Sequence, residues 1–145
     1  MADNRPKLDQ VNVIVSDMTR SLAFYRLLGV EVPDGGQTDG RHQHANAGSV
    51  EVDLDFDSQE FAKVWNQGWK GRSDLAGRVV VGFSVSERAE VDRLYYRLTA
   101  AGHRGLQPPW DAFWGARYAV VEDPDGLAIG LMSPVDPALR SAGPI

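Results

Sequence analysis

Three groups of side chains in this 145-residue chain could do chemistry. His42 and His44 stand two residues apart, so on an extended strand both imidazoles share one face. A transition metal could use that pair, with Asp53 as a third donor. His-x-His in a polar, glycine-flanked segment is also the composition of an exposed hairpin. Glu51, Asp53, Asp55 and Asp57 recur at every second position. Such a row reads first as the solvated face of a strand. If enclosed, it would favour a cationic ligand, and Asp53 or Glu51 could serve as a general base with Gln10 or Arg117 as polariser. The third group is aromatic: Trp65 and Trp69, then Trp110, Phe113 and Trp114. Tryptophan offers a flat apolar face and an N–H donor to a planar ligand, although such residues also close cores and dimer interfaces. Arg117, close by, would pair with an anionic group of a ligand or with a neighbouring Asp or Glu. No Ser-His-Asp set and no phosphate-cradling glycine loop accompanies these groups.

These side chains need a scaffold, and the apolar pattern outlines one. Val11, Val13 and Val15 alternate as one face of a strand. Asp17 is placed to cap a helix from about Met18 to Leu28, whose stripe is Leu22, Tyr25 and Leu28, with Gly29 at its C-terminal end. Strands are expected near 30–32, 41–47 and 49–56, the last alternating Val50, Val52, Leu54 and Phe56 against the acidic row. The same order then returns. Val79, Val81, Phe83 and Val85 form a strand face. Ser86 is the expected cap of a helix running to about Ala101, with Val91, Leu94, Tyr95 and Leu98 buried. Strands follow near 103–106, 117–121 and 127–132, with Asp123-Pro124-Asp125-Gly126 as a tight turn between the last two. Trp110, Phe113 and Trp114 fall in the loop before the strand at 117. The halves match at an offset of 70 residues, Val15-Ser16 against Val85-Ser86 and Leu28 against Leu98.

This order predicts an α+β fold of two βαβββ modules, residues 8–57 and 77–134. Residues 58–76 connect them and 135–145 form a C-terminal tail. Apolar residues are 43% of the chain and charged residues 24%, ordinary for a globular protein. The net charge of −5 and the lack of a dense Lys/Arg patch argue against nucleic acid as a partner. No apolar run approaches the ~18 residues that span a bilayer, so no membrane partner is expected. A polar start without a secretory signal points to the cytoplasm. With no cysteine there are no disulfides, thiolate nucleophiles or Cys-type zinc sites.

The segment Val15-Ser16-Asp17-Met18-Thr19-Arg20-Ser21-Leu22-Ala23-Phe24-Tyr25, followed by Leu28-Gly29, resembles the opening of a glyoxalase/bleomycin-resistance/dioxygenase module of the vicinal oxygen chelate superfamily. Val121-Glu122-Asp123-Pro124-Asp125-Gly126 resembles its closing hairpin. The resemblance spans roughly residues 8–134. It implies a curved mixed sheet around a cavity, helices on the outer face, and a homodimer. It also implies four metal-ligand positions, here Gln10, Asp53, Val80 and Gly130. Valine and glycine supply no coordinating side chain, and a catalytic metal needs about three protein ligands. The expectation is therefore a protein without a cofactor that binds a small, partly aromatic organic molecule, as antibiotic-resistance members do. Its contacts would come from Gln10, Asn12, Asp53, Trp65, Trp69, Trp110, Phe113, Trp114 and Arg117. The alternative is a lyase, isomerase or dioxygenase-type enzyme using a cavity carboxylate or a divalent metal at His42, His44 and Asp53. In the cavity, Gly82, Ser84, Ala128 and Gly130 leave open volume for a ligand, or let neighbouring elements pack closely.

Overall fold

The computed structural model describes residues 5, 8–34, 40–46, 48, 51–68 and 79–143. The chain divides into two compact units, Met1–Gly71 and Arg72–Ile145.

In the first unit, β1 (Gln10–Val15) leads into α1 (Met18–Leu28). Asp17 accepts a hydrogen bond from the Arg20 amide and caps the helix as its sequence predicts. Gly29 ends α1 with φ +112°, a left-handed conformation that costs a residue with a Cβ about 1–2 kcal/mol. β2 (His42–Ala45) and β3 (Asp53–Ser58) complete a sheet of order β1-β3-β2, with β1 parallel and β2 antiparallel to β3. The strand expected near 30–32 is reduced to one bridge, Glu31 to Asn46. The expected 49–56 strand starts and ends later, at Asp53 and Ser58; residues 49 and 50 lie outside those described. Val13, Val15, Phe24, Tyr25, Leu54 and Phe56 are buried between sheet and helix, with the Tyr25 and Phe56 rings 4.6 Å apart.

The connecting segment holds a helix that the apolar pattern did not reveal. In α2 (Gln59–Trp65), Ser58 accepts from the Phe61 amide as N-cap. Only Ala62 is buried among its described residues, while Phe61, Val64 and Trp65, which recur at helical spacing, stay partly or largely exposed.

The second unit has the full strand order. β4 (Val80–Ser84), α3 (Arg88–Ala100), β5 (Gly105–Asp111), β6 (Arg117–Glu122) and β7 (Ala128–Met132) give a sheet β4-β7-β6-β5. β4 is parallel to β7, and the other pairs are antiparallel. Val91, Leu94, Tyr95 and Leu98 pack on the sheet side bearing Ala119, Val121, Ile129 and Leu131, all buried. Ser86 is not the cap of α3. Glu87 holds that position without a side-chain bond, and the helix begins at Arg88. β5 is longer than expected, because two bulges admit Pro108 and Pro109 without demanding their missing N–H groups. Trp110 therefore lies on β5, not in a loop, while Phe113 and Trp114 occupy the turn to β6.

The tail is fastened to this turn. Ser133 donates its amide to Arg117 O, Asp136 to Gly115 O and Ser141 to Phe113 O, with a 3-10 turn at Pro137–Leu139 between them. A Cβ on Gly115 would lie 2.4 Å from the Asp136 carbonyl oxygen, and its φ of +97° also favours glycine.

Candidate functional site

Each unit places distinctive side chains on the sheet face turned away from its long helix. In the first unit Leu54 and Phe56 face α1, so Asp53, Asp55 and Asp57 face the other way. Register sets His42 opposite Asp57 and His44 opposite Asp55 on β2, and Gln10 opposite Asp53 and Asn12 opposite Asp55 on β1. The acidic row is not a solvated face at its C-terminal half. Asp57 is 1% exposed and Asp55 8%. His42 Nδ1 lies 2.5 Å from Asp57 Oδ1, and Asn12 Nδ2 donates to Asp57 Oδ2 at 2.7 Å. Both oxygens of the buried carboxylate are thereby engaged, which offsets a desolvation cost of several kcal/mol. His44 Nδ1 lies 2.8 Å from Asp55 Oδ1, and His42 Nε2 is 3.8 Å from that same oxygen. α2 reaches this end of the sheet, where the Phe61 ring centroid is 6.0 Å from that of His42. A hollow of about 400 Å³ opens there, lined by Gly40, Arg41, Ser58, Glu60, Phe61 and Val64.

In the second unit the corresponding face is aromatic. Tyr118 alternates with the helix-facing Ala119 and stands opposite Trp110 on β5 and Met132 on β7. The Trp110 and Trp114 rings meet edge-to-face at 5.7 Å, Trp114 and Tyr118 at 5.4 Å, and Phe113 and Trp114 at 5.1 Å. Edge-to-face contacts of this kind place the positive rim of one ring on the negative face of the next. Trp110 and Phe113 remain more than a third exposed. Tyr118 lies over Gly130, where a Cβ would come within 2.8 Å of the Tyr118 hydroxyl. Gly130 thus admits a neighbour, the structural reading of its small size. Gly82 has no atom within 4 Å of a Cβ position and stands exposed on β4 beside Val80 and Ser84.

Arg117 is on the opposite, helix-facing side. Its Nε and Nη2 donate to Asp92 Oδ1 and Oδ2 of α3 at 2.8 and 2.9 Å, and Nη1 donates to Asp111 Oδ1 at 3.2 Å. Arg88 also donates to Asp111, at 2.5 Å. The bidentate hydrogen bond from Arg117 holds Asp92 below the usual carboxylate range, and the bond to Asp92 raises Arg117 in turn. The neighbouring-carboxylate reading of Arg117 describes this geometry. Trp65 ends α2 in the first unit with 48% exposure. Trp69 lies outside the described residues. Glu51 and Asp53 are exposed, Glu51 in a bend before β3.

Sequence reasoning joined His42 and His44 only with Asp53 of the acidic row. It missed that the two spacings of two pair across adjacent strands. It also missed Tyr118, Phe61 and the role of Asn12 in holding Asp57. Charge complementarity between two strands of equal period was the available signal.

The family model of the Glyoxalase/Bleomycin resistance protein/Dioxygenase superfamily matches residues 7–131. The chain belongs to that superfamily. Solved structures of similar fold include a glyoxalase-related enzyme from Fulvimarina pelagi, 21% identical with a TM-score of 0.73 and 88% of each chain covered. A glyoxalase/bleomycin resistance protein/dioxygenase from Nocardioides is 20% identical with a TM-score of 0.70, over 99% of this chain and 91% of that one. Lactoylglutathione lyase from Agrobacterium tumefaciens is 15% identical with a TM-score of 0.63, over 90% and 96%. No curated protein matches the sequence significantly. At these identities the structural likeness speaks for the fold.

Within this glyoxalase-superfamily chain, the four positions matched to metal ligands do not form a fitting donor set. Gln10 and Asp53 are partners across β1 and β3 and both are exposed. Val80 and Gly130 add no donor atom, and Tyr118 occupies the space over Gly130. Among the described residues no group of three or more His, Asp or Glu is gathered to hold a metal ion, and the set His42, His44 and Asp53 is not brought together as one. His44 directs Nδ1 at Asp55 and His42 directs Nδ1 at Asp57. No helix among the described residues is long and apolar enough to cross a membrane.

Proposed function

We propose that this superfamily member binds a small, partly aromatic organic molecule and does so without a metal. The observation that carries the reading is the group Trp110, Phe113, Trp114 and Tyr118, whose rings form a continuous edge-to-face set with two members partly open to solvent. A planar ligand laid on such a set would remove apolar surface from water at about 25 cal/mol per Å² and gain ring-ring contacts of about 0.5–1.5 kcal/mol each. Glycine and serine on β4 leave space beside β7 on the same face. The poor donor set at Gln10, Asp53, Val80 and Gly130 supports the metal-free part. The superfamily resemblance supports a homodimer as the binding form.

Titration of tryptophan fluorescence with a panel of planar organic compounds tests the reading. Saturable quenching is expected for at least one compound, weakened about tenfold in Trp114→Ala, the equivalent of 1.4 kcal/mol. A panel giving only linear, unsaturable quenching would remove the proposal. Elemental analysis of protein purified without added metal tests the second part, and a stoichiometric transition metal would refute it.

A further inference from the structure

We propose that the Tyr118 hydroxyl selects, among planar molecules, those that carry an uncharged hydrogen-bond acceptor such as a ring nitrogen or a carbonyl oxygen. This rests on ligand binding at the aromatic face and narrows the ligand to a chemical class.

Strand register puts Tyr118 in the middle of that face. It stands between Trp110 on β5 and Met132 on β7, on the side of the sheet away from α3. Its ring meets Trp114 edge-to-face at 5.4 Å, and its hydroxyl end lies over Gly130, 2.8 Å from where a Cβ would stand. Packing therefore sets the ring. The phenol oxygen lies on the ring's symmetry axis, so a ring flip leaves it in place.

That oxygen has no partner of its own. Among the described residues no group hydrogen-bonds it, and the half-buried residue leaves it open to solvent. A tyrosine hydroxyl can donate and accept. Conjugation draws its lone pairs into the ring, which makes donation the stronger role. A planar ligand that strips water from this hydroxyl without replacing the bond leaves it unpaired, and a ligand with an acceptor restores the bond. Apolar contact with the rings cannot make that distinction.

Space for the ligand adjoins the hydroxyl. Gly130 pairs with Gly82 on β4, and a Cβ on Gly82 would meet no atom within 4 Å. The Tyr118 oxygen thus borders an open floor one strand spacing, ~4.8 Å, across. Ser84 is a second exposed hydroxyl on β4, opposite Met132. It lies on the flexible side chain of an exposed residue, so it lacks the fixed placement that Tyr118 has.

The test compares naphthalene with quinoline and isoquinoline, which replace one C–H by an acceptor nitrogen and keep the planar shape. Equilibrium dialysis against the intact protein at slightly alkaline pH, where both bases are uncharged, reads each affinity. Tyr118→Phe keeps the ring and removes the hydroxyl. It should weaken at least one of the two nitrogen compounds about fivefold, the size of one net hydrogen bond, and leave naphthalene unchanged. Ser84→Ala should alter none of the three. Gly82→Leu, which fills the floor, should weaken all three. Equal effects of Tyr118→Phe on all three compounds, or none on any, overturn the proposal, as does discrimination lost only in Ser84→Ala. Unchanged binding in Gly82→Leu overturns the placement of the ligand. Wild-type protein that binds none of the three but is saturably quenched by other planar compounds sinks this inference alone. No saturable binding of any planar compound removes the aromatic-face reading with it.

Discussion

The two units carry the same strand-helix-strand order yet put charge on opposite faces of their sheets. In the first, two carboxylates of β3 lie on the side away from α1, each held by an imidazole from β2. In the second, the charged group Arg117, Asp92, Asp111 and Arg88 lies on the side of α3, and the far side is aromatic. A duplicated topology therefore does not duplicate chemistry. Side-chain parity decides which face is available, and the residues at those positions decide what it can do.

The deepest contrast is tested in the cores. Phe56→Ala removes a fully buried ring that packs on Tyr25, and a cost of about 3–5 kcal/mol in denaturant unfolding is expected. Hydrogen exchange should accelerate in β1–β3 while β4–β7 keep their protection, if the units fold independently. Equal acceleration in both would erase the comparison.

Next is Gly115→Ala, which adds a side chain at positive φ against the Asp136 carbonyl. A loss of about 2–4 kcal/mol is expected from left-handed strain and overpacking together. The altered exchange should centre on residues 113–141. A neutral result would show that the turn and tail can move apart cheaply.

Asn12→Ala asks whether the polar face of the first unit is as tightly specified as its core. It leaves one oxygen of buried Asp57 without its amide donor, and about 1–3 kcal/mol should be lost. An unchanged stability would mean that water replaces Asn12 readily.

The smallest effect concerns the second unit's charges. Asp92 is held below its ordinary value by Arg117, so the pair's contribution is present in full above about pH 4 and is lost as pH falls through the depressed value. Asp92 is 39% exposed, so Asp92→Asn should cost no more than about 1 kcal/mol at pH 7. The difference from wild type should shrink in acid, as thermal melting across pH will show. A difference that grows in acid would contradict the assignment.

Much of the scaffold was legible because its signals are local. Asp17 and Gly29 cap α1 as their types demand, and the stripe Val91, Leu94, Tyr95 and Leu98 is buried as its spacing requires. The strand expected near residue 31 survives as a bridge alone, and α2, with 7 residues, is too short for the spacing of Phe61, Val64 and Trp65 to announce it. The candidate sites were less legible, because they depend on register between strands distant in sequence. His42 and Asp57 are 15 positions apart, and only their alignment on β2 and β3 makes them partners. Arg117 was ambiguous for the same reason: residue type fixes its appetite for carboxylates, and only the fold says that Asp92 supplies one. Gly130 illustrates the reverse, a small residue whose vacancy is taken by Tyr118 from the neighbouring strand.

The segment after β7 works as a splint. Since Asp136 and Ser141 grip the backbone on which Phe113 and Trp114 ride, the rigidity of that aromatic set depends on residues 136–141. Stepwise carboxypeptidase trimming would then act as a graded dial on ring mobility, and any fused peptide at this end would press on the splint before it reached the rest of the molecule.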